Sequence, residues 1–375
     1  MLSSDELIRY SRNILLPEIG NEGQLKLKRS SVLVIGAGGL GCSVLNYLTA
    51  AGIGTIGVVD FDCVDPSNLQ RQILYTVDDV GKPKVNCAID KLSKLNPFVK
   101  FVAYYEQITN KNAIDIITNY DLVIDGTDNF VTRYLVNDAC VLLGKPLVYG
   151  SVYKFEGQIS VFNYSVNGTE RGPNYRCLFP VPPSREKIHT CSETGVLGIL
   201  PGLIGLFQAN EAIKICVGIG NVLSGQLTII NSLTMQFYSI KYEKTESISS
   251  PSNINEYEKF DYGLFCDGTT VRNTKEITSD QLFQLIQNNR KGIQILDVRA
   301  YNEEPYLDVL KELQIPFSEL IDNADKISSE RTVVVICKIG IRSGIAIQML
   351  QQNFGLTNFV NLKGGLTEWV KSYNL

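Results

Sequence analysis

The chain of 375 residues has one histidine, one tryptophan and three methionines, and none of its nine cysteines forms a C-x-x-C pair. A single histidine excludes a histidine-rich metal centre. An odd number of cysteines scattered at 42, 63, 87, 140, 177, 191, 216, 266 and 337 is not a disulfide framework. Long apolar runs are absent too. The longest, 196–207, is interrupted by Gly198, Pro201, Gly202 and Gly205 and falls short of the about 20 residues of a bilayer span. The first thirty residues carry Asp5, Glu6, Arg9, Arg12 and Glu18 and so have no apolar signal core. The expectation is a cytoplasmic protein with no membrane contact. Excess positive charge is also absent: 35 basic against 39 acidic residues give a net charge of −4, which argues against a broad nucleic-acid surface. Apolar residues make up 44% and charged residues 20%, enough apolar material for real cores.

Two folded regions are expected on either side of a linker. In the first, apolar segments at 31–36, 55–60 and 121–125 read as buried strands, and 40–51, 84–95 and 131–143 as helices. Continuous apolar strands alternating with helices predict an α/β fold with a parallel sheet covered on both faces. Segments 147–152, 158–163, 226–231 and 236–242 read as strands that extend the sheet, and 203–216 as an apolar helix. A stretch containing the run SISSPSN marks a linker at 246–273, which leaves domains at 1–245 and 274–375. The second domain alternates again, with strands at 293–298 and 333–336, helices at 280–289 and 343–353, and Trp369 in a closing helix.

The chemistry starts at Gly36, Gly38 and Gly41, which fit G-x-G-x-x-G between a strand and a helix. Such glycines let the backbone approach a phosphate at a helix N-terminus. Asp60 ends the next strand, where an acid binds ribose hydroxyls. This motif does not separate NAD from ATP. A nucleotidyl-transfer site also needs cations for a triphosphate and a carboxylate for magnesium. Arg71 and Lys84 supply cations, and Asp128 supplies a carboxylate past a strand's carboxyl end. An NAD-dependent oxidoreductase and a non-catalytic nucleotide-binding scaffold are the alternatives.

The segments RYSRNILLPEIG (9–20), VLVIGAGGLGC (32–42), VVDFDCVDPSNLQRQ (58–72), GKPK (81–84) and DGTDNFVTRYLVNDAC (125–140) resemble the ubiquitin-activating-type adenylyltransferases of the MoeB/ThiF kind. The resemblance covers about residues 1–245. It implies a Rossmann-like domain that adenylates the C-terminal glycine of a ubiquitin-like sulfur-carrier protein ending in Gly-Gly, using ATP and Mg2+. It places Gly39, Asp60, Ser67, Asn68, Leu69, Gln70, Arg71, Lys84, Asp128 and Asn129 at the nucleotide, with Asp128 on the metal. It also implies a homodimer in which Arg12 reaches the triphosphate of the other subunit. Cys191 matches a cysteine with a proposed role in thioester or persulfide chemistry, beside His189; a dispensable thiol is the other reading. The family's structural zinc uses two C-x-x-C pairs. Here Cys177 alone remains and Asn174 stands at its partner position, so no zinc is expected.

In the second domain Cys337 follows a buried strand and precedes a short loop and a helix, a setting in which backbone N–H groups and Arg342 favour an anionic sulfur. This loop, with ILDVR at 295–299 and VNLKGGLTEW at 360–369, resembles rhodanese sulfurtransferases. The stretch between Tyr301 and Pro316 lacks the usual Gly-His-Ile. The resemblance implies sulfur transfer from a persulfide or thiosulfate through Cys337, or else a docking module. Carriers for molybdopterin, thiamine, cysteine synthesis and tRNA thiolation share the Gly-Gly end, so the pathway stays open.

Overall fold

The computed structural model describes residues 1–165, 170–182, 195–245, 250–267, 275–299, 301, 303–338 and 340–373. The chain forms two compact units, one built mainly from residues up to Tyr262 and the other from Gly263 onward.

The first unit is organised by a sheet of eight strands: β1 Ser31–Ile35, β2 Thr55–Val59, β3 Lys100–Tyr104, β4 Leu122–Asp125, β5 Leu147–Tyr153, β6 Glu156–Phe162, β7 Gln226–Asn231 and β8 Gln236–Lys241. Their spatial order is β3-β2-β1-β4-β5-β6-β7-β8. Strands β1 to β5 pair in parallel, and β5 to β8 pair antiparallel. The apolar runs of β1 and β4 are buried almost throughout, as strands covered on both faces must be. The chain reverses its direction of sheet growth between β1 and β4. That switch point leaves a crevice at the strands' carboxyl ends, where open α/β sheets take ligands.

Some elements differ from the sequence reading. The apolar helix starts at Ile199 and runs to Val217, earlier than 203, because Pro201 falls in its first turn, where no N–H is needed. The first thirty residues hold three helices, Ser4–Arg9, Ser11–Ile14 and Gly20–Arg29, that the sequence reading did not assign. The first is closed by a capping box between Ser3 and Glu6. The stretch read as a linker contains the helices Ile254–Lys259 and Tyr262–Asp267. Tyr257 is fully buried and donates its hydroxyl to Leu135 O, and Tyr262 donates to Asp138 at 2.8 Å. That part of the segment belongs to the first unit's packing.

The second unit holds a five-stranded parallel sheet in the order β11-β10-β12-β13-β9. Its strands are β9 Glu276–Ile277, β10 Ile293–Asp297, β11 Leu313–Gln314, β12 Thr332–Ile336 and β13 Phe359–Leu362. Trp369 is buried in the closing helix Gly365–Tyr373 and packs with Leu282, Ile293, Ile295, Val334 and Leu362. No helix among the described residues is long and apolar enough to cross a membrane.

Candidate active sites

The crevice of the first unit is a cleft open to solvent. Of the residues singled out in the sequence, Gly36, Gly38, Gly39, Asp60, Arg71, Lys84, Asp128 and Asn129 line it. The turn after β1 requires its glycines. Gly36 has φ +94°, and a Cβ at Gly41 would sit 1.9 Å from Gly36 O, so the helix Gly39–Ala51 can start there only without a side chain. Asp60 shapes this turn, its two carboxylate oxygens accepting from Ala37 N–H at 2.7 Å and Asp62 N–H at 2.8 Å. Burial pushes the Asp60 carboxyl up, against the pull of those N–H groups and Lys84.

Lys84 opens the helix Lys84–Leu95 and is 5% exposed, with its ammonium 2.9 Å from the half-exposed Asp62 carboxylate. Arg71 donates to Ser67 O at 3.1 Å. Asp128 is exposed at the mouth and makes no hydrogen bond or ion pair among the described residues. Asn129 caps the helix Phe130–Leu142 by accepting from Thr132 N–H at 2.9 Å.

Ser67, Asn68, Leu69, Gln70 and Gly41 do not line the cleft. Asp65 accepts from Ser67, and Asn68 closes the same turn by accepting from Asp65 N–H. Gln70 lies where a Cβ at Gly198 would be, so it packs on the chain entering the apolar helix. Arg12 is exposed on the helix Ser11–Ile14 and is not part of the cleft of its own chain. Cys191 and His189 lie outside the described residues.

The sequence reading missed three cleft features. Gln72 is 4% exposed, lines the cleft, and leaves its Oε1 without a hydrogen-bond partner among the described residues. Its signal was its place directly after Arg71. Asp125 and Arg133 form a buried pair behind the cleft wall at 3.8 Å, and Arg133 also donates to Thr127 O at 3.0 Å. Burial raises the Asp125 carboxyl, and the guanidinium of Arg133 opposes that rise. The pair fixes the loop that carries Asp128, since Asp125 also accepts from Thr127 N–H and hydroxyl at 2.9 and 2.6 Å. Asp62, the partner of Lys84, is the third.

Away from the cleft, Cys177 Sγ accepts from Asn174 N–H at 3.4 Å and Thr245 N–H at 3.5 Å. Next to it the fully buried Arg176 binds Asp138 through two bonds of 2.7 and 2.6 Å.

In the second unit Cys337 is buried at the carboxyl end of β12. Its sulfur accepts from Gly340 N–H at 3.1 Å and lies 3.3 Å from the Ser343 hydroxyl. Gly340 has φ +84°, and a Cβ there would meet Leu362 O at 2.9 Å, so the loop demands glycine at this point. The helix after the loop begins at Ile341, ahead of the expected 343. Asn361 ties the loop down, accepting from Ser343 at 2.6 Å and donating to Gly340 O at 2.9 Å. Arg342, expected to favour an anionic sulfur, has both guanidinium prongs on Glu303.

Residues 10–250 match the ThiF family, and residues 279–372 match the rhodanese-like domain. The chain is similar to a "Probable adenylyltransferase/sulfurtransferase MoeZ" of Mycobacterium tuberculosis, 42% identical over 373 residues, 99% of this chain and 94% of that protein. It is 41% identical to an "Adenylyltransferase and sulfurtransferase MOCS3" of Drosophila grimshawi, over 98% of this chain and 85% of that protein. A "Sulfur carrier protein adenylyltransferase" of Thermus thermophilus is 48% identical over 70% of this chain and 98% of its own. Among solved structures, E. coli MccB with ATP superposes with a TM-score of 0.55 at 23% identity, over 64% of this chain and 72% of that one, a likeness of fold. The chain therefore belongs to the ThiF family, as a member that carries a rhodanese-like domain and the paired adenylyltransferase and sulfurtransferase activities of its full-length relatives.

Proposed function

We propose that the first domain adenylates the C-terminal glycine of a ubiquitin-like sulfur-carrier protein and that Cys337 then delivers sulfur to it. The observation that carries the first half is the convergence of Arg71, Lys84 and Asp128 on one cleft under the glycine turn. A carboxylate oxygen of the carrier attacks the α-phosphorus of ATP. The bond from that phosphorus to the oxygen bridging the β-phosphate breaks, and pyrophosphate leaves. Arg71 and Lys84 offset the charge gathering on the phosphates, and the turn holds them for in-line attack.

Asp128 fits a magnesium site of the kind that takes one carboxylate plus substrate phosphates. It is exposed at the cleft, and no group of three His, Cys, Asp or Glu among the described residues forms a closed cage. Magnesium held there supplies positive charge at the leaving pyrophosphate. Asp60, Asn129, Ser67, Asn68, Leu69 and Gln70 complete the nucleotide site in this reading, the last four by fixing the turn that positions Arg71. The two activities fall to the domains at 1–245 and 274–375, with Tyr257 and Tyr262 of the stretch between them packed onto the first.

The persulfide sulfur of Cys337 next attacks the acyl carbon of the adenylate, forming a carbon–sulfur bond and expelling AMP. A second thiol, with Cys191 as the candidate, then attacks the Cys337 sulfur of that acyl disulfide. The carrier leaves as its thiocarboxylate, and the disulfide formed between the two thiols is reduced by an external thiol before the next turnover. The protein acts in the cytoplasm, as a homodimer whose Arg12 completes the partner's site. No structural zinc is needed, because Cys177 Sγ is satisfied by backbone N–H groups and Asn174 caps its own turn. Elemental analysis of the purified protein should find no stoichiometric zinc; one tightly held ion per chain would refute this.

The experiment for the whole reading is ATP–pyrophosphate exchange with a carrier ending in Gly-Gly, followed by mass spectrometry of that carrier. Exchange that depends on the carrier, and a mass gain equal to replacing oxygen by sulfur, are the expected results. NAD binding without exchange would sink the reading.

A further inference from the structure

The loop around Cys337 contains more charge than it offers to a ligand. Asp297 pairs with Ile336, the residue before Cys337, across the β10–β12 register. Arg299, 3% exposed, is bound to Asp297 at 2.7 Å and to Pro305 O at 3.1 Å. Arg342, in the first turn after the loop, is gripped by Glu303 at both prongs, at 2.5 and 2.7 Å. Both partners of that pair are about three-quarters buried, with side chains 22% and 25% exposed. A bidentate fork of this kind fixes the guanidinium and occupies the donors that match an oxyanion. Lys338 is exposed and has no ion-pair partner among the described residues.

The sulfur donors open to such a cysteine differ in charge. In each case the Cys337 thiolate attacks the outer, sulfane sulfur. A new sulfur–sulfur bond forms, the old bond breaks, and its electron pair leaves with the departing group. Thiosulfate arrives with two negative charges and leaves as sulfite, also doubly charged, so it needs cations at the loop. A thiol persulfide arrives with one charge and leaves as a thiolate.

We infer that Glu303 sets donor specificity: by holding both prongs of Arg342 it withholds that guanidinium from small dianions and tunes the loop to thiol persulfides. This rests on the reading of Cys337 as the sulfur relay. Glu303 acts through Arg342 and is a specificity-determining residue. It lies in the stretch that lacks the usual Gly-His-Ile.

The test uses the full-length chain and follows thiocyanate formation from cyanide, with thiosulfate or cysteine persulfide as donor. Glu303→Gln keeps the shape and removes the charge. The ratio of kcat/KM for thiosulfate to that for persulfide should rise about tenfold, mainly through a lower KM for thiosulfate. That gain should shrink as salt is raised, since it comes from a freed and partly exposed cation. Glu303→Asp, which keeps the charge, should return the ratio towards the wild-type value. An unchanged ratio, or equal loss with both donors, overturns the assignment of Glu303. Thiosulfate turnover that survives Cys337→Ala overturns the relay reading instead.

Discussion

The two sites of this chain handle charge in opposite ways. The cleft of the first domain leaves charge on offer: Asp128 is exposed at its mouth, and Lys84 is matched by an Asp62 that is itself half in solvent. The loop of the second domain closes most of its charge off, with Arg299 on Asp297 and Arg342 on Glu303 and only Lys338 left exposed without an ion-pair partner among the described residues, and it buries the thiol completely. The ligands explain the contrast. A triphosphate brings several negative charges that the protein must meet at the moment of binding. A sulfane sulfur is soft, weakly charged and easily lost to water or stray thiols, so exclusion serves it better than attraction.

The sharpest way to break this comparison is to disable each site separately. Asp128→Ala should lower carrier-dependent pyrophosphate exchange by about a thousandfold, to background, with sulfur transfer from a persulfide to cyanide intact. Cys337→Ala should do the reverse, abolishing sulfur transfer and sparing exchange. If either variant loses both activities while its circular dichroism stays normal, the two sites are not chemically separate. Cys191→Ala is expected to spare exchange and to lower thiocarboxylate formation, read by mass spectrometry of the carrier.

A smaller effect would show whether the cleft's open face is completed in trans. Arg12→Ala and Asp128→Ala should each be inactive in exchange. Unfolded together and refolded as a mixture, they should regain about a quarter of wild-type activity, because half the dimers would hold one intact site. No recovery, or a monomer by light scattering, removes Arg12 from the site.

The smallest effect concerns acid. Asp79 is mostly buried, which alone would raise its carboxyl, but Lys91 and the N–H and hydroxyl of Thr76 outweigh burial and bring it down to about 2 from 3.8. A carboxyl depressed on folding stabilises the native state above its unfolded value and loses that contribution as pH falls through the folded one. The first domain should therefore lose stability between pH about 4 and about 2, and Asp79→Asn should flatten that limb of a urea-melt series. A variant whose acid limb matches the wild type would show that other groups govern it.

The parts of the two sites that were legible share one property: their chemistry is local. The glycine turn at 36–41 was readable because backbone strain and close approach act over a few residues, and the structure shows both at Gly36 and Gly41. The Cys337 loop, expected to turn backbone N–H groups towards the sulfur, was readable for the same reason. The unread parts depend on burial or on distant partners. Arg133 looks like any helical arginine until its place behind the cleft wall is known. Tyr257 and Tyr262 sat in a stretch read as linker because their partners, Leu135 and Asp138, come more than a hundred residues earlier.

The sequence by itself determined the two α/β regions, the glycine turn after the first strand and the place of Asp128 past a strand's carboxyl end, because periodicity, turn residues and strand ends are short-range properties. Tertiary structure alone decided which charges are spent and which are free. Asp60 is committed to the glycine turn through Ala37 N–H, Lys84 shares its charge with Asp62, and Arg342 belongs to Glu303, 39 residues away. The reason is electrostatic: a side chain's effective charge depends on the carboxylate within about 4 Å of it and on the water it has lost, and the fold sets both.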